Sequence, residues 1–183
     1  TATKASTYKV YNNNTTDDTN FHTYFASNSA TQAYTGTGTE RFGQSTNFIG
    51  DIDKDGLQDW AIGGNAGQVV RIYLGSNPST AAATLNGAAS SAFGGGGSIS
   101  GVGDVNADGY DDFAIGSGGY DSPATNSGKV EIYKGGPSTT DWTVIRTAAP
   151  LGDSGVANMY CGGFPGGKEG LNMITGVGDI NFD

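Results

Sequence analysis

The stretch Gly50-Asp51-Ile52-Asp53-Lys54-Asp55-Gly56-Leu57-Gln58-Asp59 decides how this chain folds. It occurs again as Gly103-Asp104-Val105-Asn106-Ala107-Asp108-Gly109-Tyr110-Asp111-Asp112. A partial copy, Gly178-Asp179-Ile180-Asn181-Phe182-Asp183, comes at the end of the chain. We count positions from the first Asp of each copy, so that loop 1 is residues 51–59, loop 2 is residues 104–112 and loop 3 is residues 179–183.

The loops carry the side chains that a calcium ion requires. Loops 1 and 2 have oxygen-bearing side chains at positions 1, 3, 5 and 9 and a Gly at position 6. Alternate residues of a tightly curled loop converge on one point, the Gly permits the sharp turn, and the position-7 carbonyl would complete the oxygen shell. A single Asp-rich copy also suits a solvated turn. Ten of the 18 acidic residues lie in these loops, and without a cation they would repel or take up protons.

An EF-hand begins with a similar loop, but the residues that follow exclude it. The EF-hand needs a Glu at position 12, where this chain has Ile62 and Ile115. The segments that follow the loops, residues 60–64 and 113–117, are short apolar runs with glycine rather than amphipathic helices. They are typical of strands entering turns.

Composition indicates one turn-rich, all-β domain. The chain has 183 residues with 32 Gly, only 9 Lys plus Arg, and a pI near 4.3. This acidity argues against nucleic acid and anionic membranes as partners, and no apolar stretch is long enough to insert in a membrane. Cys161 is the one cysteine, which excludes an internal disulfide, and its apolar, glycine-rich neighbourhood favours a buried thiol over an intermolecular bridge. The single histidine, His22, is interpreted as a strand surface residue.

The loops belong to a repeat of about 60 residues. A Phe-Gly pair precedes each complete loop, at residues 42–43 and 93–94, and a strand with alternating Val and Ile follows it. The Tyr that ends this strand pattern recurs at Tyr11, Tyr73 and Tyr133. The intervals between these residues are 62 and 60 residues. A repeat of this length with about four strands is typical of a propeller blade.

The order Phe-Gly, calcium loop, apolar strand, Ile-Gly and Val-x-Ile-Tyr strand resembles the FG-GAP repeat of integrin α subunits and many secreted proteins. The resemblance covers roughly residues 36–183 and is weaker in the third unit, where Phe164-Pro165 replaces Phe-Gly. It implies calcium bound between the first two strands, A and B, of a four-stranded blade. The ligands it implies are Asp51, Asp53, Asp55, the Leu57 carbonyl and Asp59; Asp104, Asn106, Asp108, the Tyr110 carbonyl and Asp112; and Asp179, Asn181 and Asp183.

The predicted fold is therefore an all-β partial ring of about three propeller-type blades, each of four antiparallel strands A to D. Residues 1–35 are predicted to end a preceding blade, 36–87 and 88–150 to form FG-GAP blades, and 151–183 to begin a further blade that stops within its calcium loop. Because closed propellers need at least four blades, we expect either a piece of a longer propeller or association between copies. The predicted strands are 6–12, 20–26, 45–52, 58–63, 67–74, 80–86, 97–105, 111–116, 128–134, 141–147 and 171–180.

The predicted function is that of a non-enzymatic, extracellular calcium-binding module, because the closed oxygen shells favour a structural ion. Its role would be structural, adhesive or in assembly, at a cell surface or in an extracellular filament or matrix. Its partners would be other protein chains, including copies of itself, or cell-surface glycans. One alternative is a glycan-binding propeller, with Tyr73, Tyr133 and Trp142 stacking on sugars. Another is the non-catalytic part of a secreted hydrolase or lyase; catalysis itself would need a pair of acids outside the loops.

Overall fold

The structure is a computed structural model that describes residues 7–10, 32–95, 98–121 and 125–148. These residues form strands, turns and bends, and none of them lies in a helix long and apolar enough to cross a membrane. The strands are β1 (Thr7–Val10), β2 (Gln32–Thr35), β3 (Ser45–Gly50), β4 (Asp59–Gly64), β5 (Val69–Tyr73), β6 (Ala83–Asn86), β7 (Ile99–Gly103), β8 (Asp112–Ser117), β9 (Lys129–Tyr133) and β10 (Val144–Ala148).

Two antiparallel sheets of four strands dominate the described part of the chain. The strand order is β3-β4-β5-β6 in the first, which we call blade 1, and β7-β8-β9-β10 in the second, blade 2. The strands β1 and β2 form a separate antiparallel pair. Four consecutive antiparallel strands per sheet are the arrangement of a propeller blade, so the predicted all-β fold class is confirmed.

The predicted strands of both blades overlap the observed ones, with ends that differ by up to three residues. The N-terminal pair differs in its second strand. The partner of β1 is Gln32–Thr35, a segment in which no strand is predicted from the sequence. The predicted strands at residues 20–26 and 171–180 lie outside the described residues. A four-residue strand with a single buried aromatic, Tyr34, has too little alternation to be recognised from sequence.

The two blades pack against each other along their first strands, β3 and β7. The Asn47 Nδ2 atom donates a hydrogen bond of 3.1 Å to the Ile99 carbonyl across this contact. The backbones come close at Gly101, where an added Cβ would lie 2.9 Å from the Ile49 carbonyl carbon. One apolar core spans both blades, built from Ile49, Ile52, Ala61, Val70, Ile72, Phe93, Ile99, Phe113, Ile115 and Trp142.

The repeated Phe-Gly pair, which precedes the first strand of each blade, is hydrogen-bonded to the second strand of the same blade. In blade 2, Phe93 is buried and the Gly94 N–H donates a 3.0 Å hydrogen bond to the Gly116 carbonyl. Gly94 has a φ of 67°, and an added Cβ would overlap the Val70 side chain of blade 1. The pair in blade 1 makes the corresponding hydrogen bond, so both blades use the same joint.

A bulge at the end of the first strand of each blade directs the chain into the Asp-rich loop. The register of β3 shifts between Phe48 and Gly50, and that of β7 shifts between Gly101 and Gly103. Gly50 and Gly103 have φ angles of 98° and 72°, which glycine adopts at low cost. The bulges therefore place loops 1 and 2 at equivalent corners of the two blades.

Candidate metal centre

Loops 1 and 2 follow the same backbone path between the first and second strands of their blades. Position 4 has a positive φ in both, 64° at Lys54 and 60° at Ala107. Position 6 has a φ of 89° at Gly56 and 90° at Gly109. Two different sequences thus place left-handed residues at the same two loop positions, which curls the chain tightly in both loops.

In loop 1 the carboxylates at positions 1 and 5 are held by backbone N–H groups of the same loop. The Asp51 carboxylate accepts hydrogen bonds from the Asp55 N–H, at 3.0 Å, and from the Gly56 N–H, at 2.9 Å. The Asp55 N–H also lies 3.3 Å from Asp53 Oδ1, and Asp55 Oδ1 accepts from the Leu57 N–H at 2.8 Å. These bonds set the orientation of each side chain before any ligand arrives.

Loop 2 repeats this pattern bond for bond at positions 1 and 5. The Asp104 carboxylate accepts from the Asp108 N–H, at 3.1 Å, and from the Gly109 N–H, at 2.7 Å. Asp108 Oδ1 in turn accepts from the Tyr110 N–H at 3.1 Å. A carboxylate has about four lone-pair sites, so each of these groups retains acceptor capacity for a cation.

The position-9 acid of loop 1 is fully buried. Asp59 has 0% of its surface exposed, and its two oxygens each accept a 2.8 Å hydrogen bond, one from the Ile52 N–H and one from the Gly75 N–H. Burial raises the pKa of Asp59 to about 6, against the opposing effect of the two hydrogen bonds. A carboxyl with this environment gains strongly from a nearby positive charge.

The position-9 acid of loop 2 has the same surroundings. Asp112 is 0% exposed and accepts from the Val105 N–H, at 3.0 Å, and from the Gly135 N–H, at 2.9 Å. Burial raises its pKa, and the neighbouring loop charges add to the effect. The Asn106 amide nitrogen lies 3.3 Å from both Asp112 oxygens, so positions 3 and 9 adjoin. Rotation of this amide would present its oxygen, the acceptor that a cation needs.

Three carboxylates of loop 1 converge on one point. Oxygen atoms of Asp51, Asp53 and Asp59 lie within 4.8 Å of one another. Burial raises the pKa of Asp53, and the charge of Asp55 acts in the same direction. The Asp55 carboxylate itself is not part of this group and faces the Leu57 N–H instead. The convergent set thus consists of positions 1, 3 and 9.

The donor set fits a divalent cation such as calcium. The loop side chains present oxygen atoms, the ligand type that calcium prefers, and two of them are completely removed from water. Both ion pairs found among the described residues, Arg71–Glu40 and Lys129–Glu131, lie outside the loops. The Lys54 ammonium lies 5.5 Å from the centre of the Tyr110 ring rather than on a carboxylate. The buried negative charge at position 9 of both loops therefore matches what a cation would neutralise.

Three residues of the centre are absent from the predicted ligand set. Gly75 and Gly135 each follow the third strand of a blade and donate to the position-9 acid. A Cβ on Gly75 would lie 2.6 Å from the Leu57 Cβ, so only glycine fits beneath the loop. Their signal in the sequence is the shared Tyr-x-Gly ending of the repeat strand. The third residue is Asp111, whose side chain lies against loop 1. Of the predicted ligands, Asp179, Asn181 and Asp183 lie outside the described residues.

The aromatic residues considered for sugar stacking lie in or against the protein core. Tyr73 and Trp142 are each 5% exposed, and the Trp142 ring N–H donates to the Gly136 carbonyl. Tyr133 stacks on Phe113 with ring centres 5.2 Å apart. The structure therefore assigns these three side chains to packing.

The fold and the two loops together define a protein built from β-propeller blades with an acidic loop between the first two strands. Residues 96–133, which include loop 2 and the strands β7, β8 and β9, match the FG-GAP repeat family. Integrin alpha-6 of Homo sapiens is 35% identical over an alignment of 124 residues that covers 60% of this chain. Residues 96–133 therefore carry the FG-GAP repeat that the sequence predicts for this part of the chain. The chain spans 10% of the length of integrin alpha-6, and the similarity is to a repeat module rather than to a catalytic unit.

Proposed function

We propose that this chain is an extracellular, calcium-binding FG-GAP propeller module without enzymatic activity. Its role is structural, adhesive or in assembly, within a cell-surface protein or an extracellular filament or matrix. The observation that carries the proposal is the equivalence of loops 1 and 2, which hold their acids by the same hydrogen bonds at the same corner of each blade.

The proposed ligands are the ones predicted above for loops 1, 2 and 3. A calcium ion in loop 1 or loop 2 would supply positive charge beside a position-9 carboxylate, Asp59 or Asp112, that the fold has already removed from water. The chain's own contribution is to orient the acids by backbone N–H groups and to join the first strand of a blade to its second. Since such a site forms only in the folded chain, its binding free energy adds to the stability of the fold.

The proposed location follows from the kind of site and from the similarity to integrin alpha-6. Extracellular calcium modules have dissociation constants of about 10⁻⁴–10⁻³ M, which suits the calcium concentration outside cells. We propose protein chains, including further copies of this one, as partners, and cell-surface glycans as the alternative ligand class. The strongly acidic composition, with a net charge of −9, favours partners that are neutral or basic.

The test is thermal unfolding of the chain with calcium, with magnesium and with excess chelator. A site that is occupied at one hundred times its dissociation constant adds about 2.7 kcal/mol, or roughly 5–10 °C in a protein of this size. The matched control is the double variant Asp51→Asn and Asp104→Asn, in which most of the calcium-dependent gain is expected to disappear. An unchanged melting temperature at about 10–100 mM calcium, one hundred times the dissociation constants given above, would contradict the proposal.

Light scattering on the same samples tests the assembly role. Particles that grow in calcium and dissolve in chelator would support an assembling subunit. A chain that binds calcium and stays monomeric at high concentration would restrict the proposal to adhesion or to a structural part of a larger propeller.

A further inference from the structure

Loop 2 reaches across the boundary between the blades and contacts loop 1 through Asp111. The Asp51 N–H donates a hydrogen bond of 2.8 Å to Asp111 Oδ2. In the return direction, the Asp111 N–H donates to the Asp51 carbonyl at 3.3 Å. Asp111 of loop 2 therefore makes hydrogen bonds to both the backbone N–H and the backbone carbonyl of Asp51, the first predicted ligand of loop 1.

Further contacts fix this link from both sides. The Gly136 N–H, just beyond the third strand of blade 2, donates to the Ile52 carbonyl of loop 1 at 2.8 Å. An added Cβ on Gly50 would lie 2.5 Å from the Asp111 Cβ, which means that the backbone just before loop 1 lies directly against this side chain. The Lys54 ammonium of loop 1 lies over the Tyr110 ring of loop 2.

Asp111 stands at position 8, outside the predicted ligand set of its own loop. Its neighbour Tyr110 is held by Asp108, and its other neighbour is the buried acid Asp112. An ion bound by Asp108, the Tyr110 carbonyl and Asp112 would also fix the position of Asp111. Through the hydrogen bonds of Asp111 it would fix the position of Asp51. The matching residue of loop 1, Gln58, has an exposed side chain, so of the two described loops it is loop 2 that supplies the link.

We infer that Asp111 is a positioning residue that couples the two calcium sites, so that an ion in loop 2 raises the affinity of loop 1. The inference rests on the proposed calcium function. A hydrogen bond to a charged group that orients a ligand changes affinity by about tenfold, and coupling between two sites in one protein is typically 5–150-fold. Because the coupling is a free energy shared by both sites, an ion in loop 1 raises the affinity of loop 2 by the same factor.

The test is a double-mutant cycle measured by calorimetric calcium titration of the full chain. All proteins carry Asp179→Ala, which removes the first predicted ligand of loop 3 from the titration. Disabling loop 2 with Asp108→Ala is expected to lower the affinity of loop 1 at least about fivefold. In the presence of Asp111→Ala, the affinity of loop 1 should already be low, and Asp108→Ala should lower it no further.

Two variants separate positioning from a general effect of the substitution. Asp111→Asn keeps an oxygen acceptor for the Asp51 N–H and is expected to restore most of the coupling, whereas an Asn variant that behaves like the Ala variant would overturn the hydrogen-bond link. Gln58→Ala, the equivalent change in loop 1, should leave both affinities unchanged. Calcium binding by two independent sites would overturn the inference and leave the proposed function intact. Absence of any binding would instead refute the proposed function.

Discussion

Raising the pH of the calcium-free protein from 4 to 7 is expected to lower its stability, chiefly through Asp59. The ordinary pKa of an Asp side chain is 3.8, and burial raises that of Asp59 to about 6. Between these values the unfolded chain has released its proton while the folded chain still holds it. The folded state therefore binds more protons, and the free energy of unfolding falls as the pH rises through this window.

The size of this effect follows from the shift in pKa. Each pH unit between the two pKa values corresponds to about 1.4 kcal/mol, so an ionised Asp59 costs the calcium-free fold on the order of 3 kcal/mol above pH 6. Asp112, whose pKa burial also raises, acts in the same direction. Saturating calcium should remove the loss, because the ion binds the ionised carboxylates and compensates their charge.

Urea unfolding of calcium-stripped protein between pH 4 and pH 7 measures this loss. The control is Asp59→Asn, which keeps the size of the side chain and does not titrate. The native protein should lose about 3 kcal/mol more than the variant over this range. If the two proteins have the same pH profile, the buried carboxyl is not the cause and the electrostatic account of loop 1 is wrong.

The remaining predictions concern packing around the loops and are measured by urea unfolding in calcium. Phe113→Ala should cost about 3–5 kcal/mol, since this ring is fully buried, whereas Phe48→Ala, at a side chain 64% exposed, should be nearly neutral. Arg71→Ala should cost about 2 kcal/mol, because it removes the 3.0 Å ion pair with Glu40; Arg146→Ala, at an exposed site, should cost less than about 0.5 kcal/mol. Gly75→Ala should cost about 2 kcal/mol and reduce the calcium-dependent gain, because its Cβ would press on loop 1. Equal effects within either pair, or a neutral Gly75→Ala, would contradict the packing described here.

The architecture could be predicted from the sequence because the turns are specified locally. The glycines at position 6 stand where φ reaches 89° and 90°, a conformation that L side chains rarely adopt. The runs after the loops consist mostly of buried residues, such as Ile62 and Ile115, that mark the second strand of each blade. Local signals of this kind repeat with the blade, and the predicted order of four strands is confirmed. The ligand assignments stay predictions.

The contacts between blades could not be predicted, because they depend on how two sheets are placed in space. The partners Asp51 and Asp111 are 60 residues apart, and nothing near either residue indicates that their backbones meet. The burial of charged side chains could not be predicted from the sequence either. Asp59 and Asp112 look like the exposed acids of any turn, yet the β-strands around them exclude water completely.

The position of these two acids explains why the loops matter beyond the turns they form. Each acid begins the second strand of a blade, and each accepts a hydrogen bond from the glycine after the third strand. Through its loop, its own strand and that glycine, each carboxylate thus connects the ends of the first three strands of its blade. Leaving such a buried group charged and without a cation destabilises the fold at this corner, and a bound ion would offset that cost. With Asp111 connecting one corner to the next, the stability of neighbouring blades is expected to depend on the same ions.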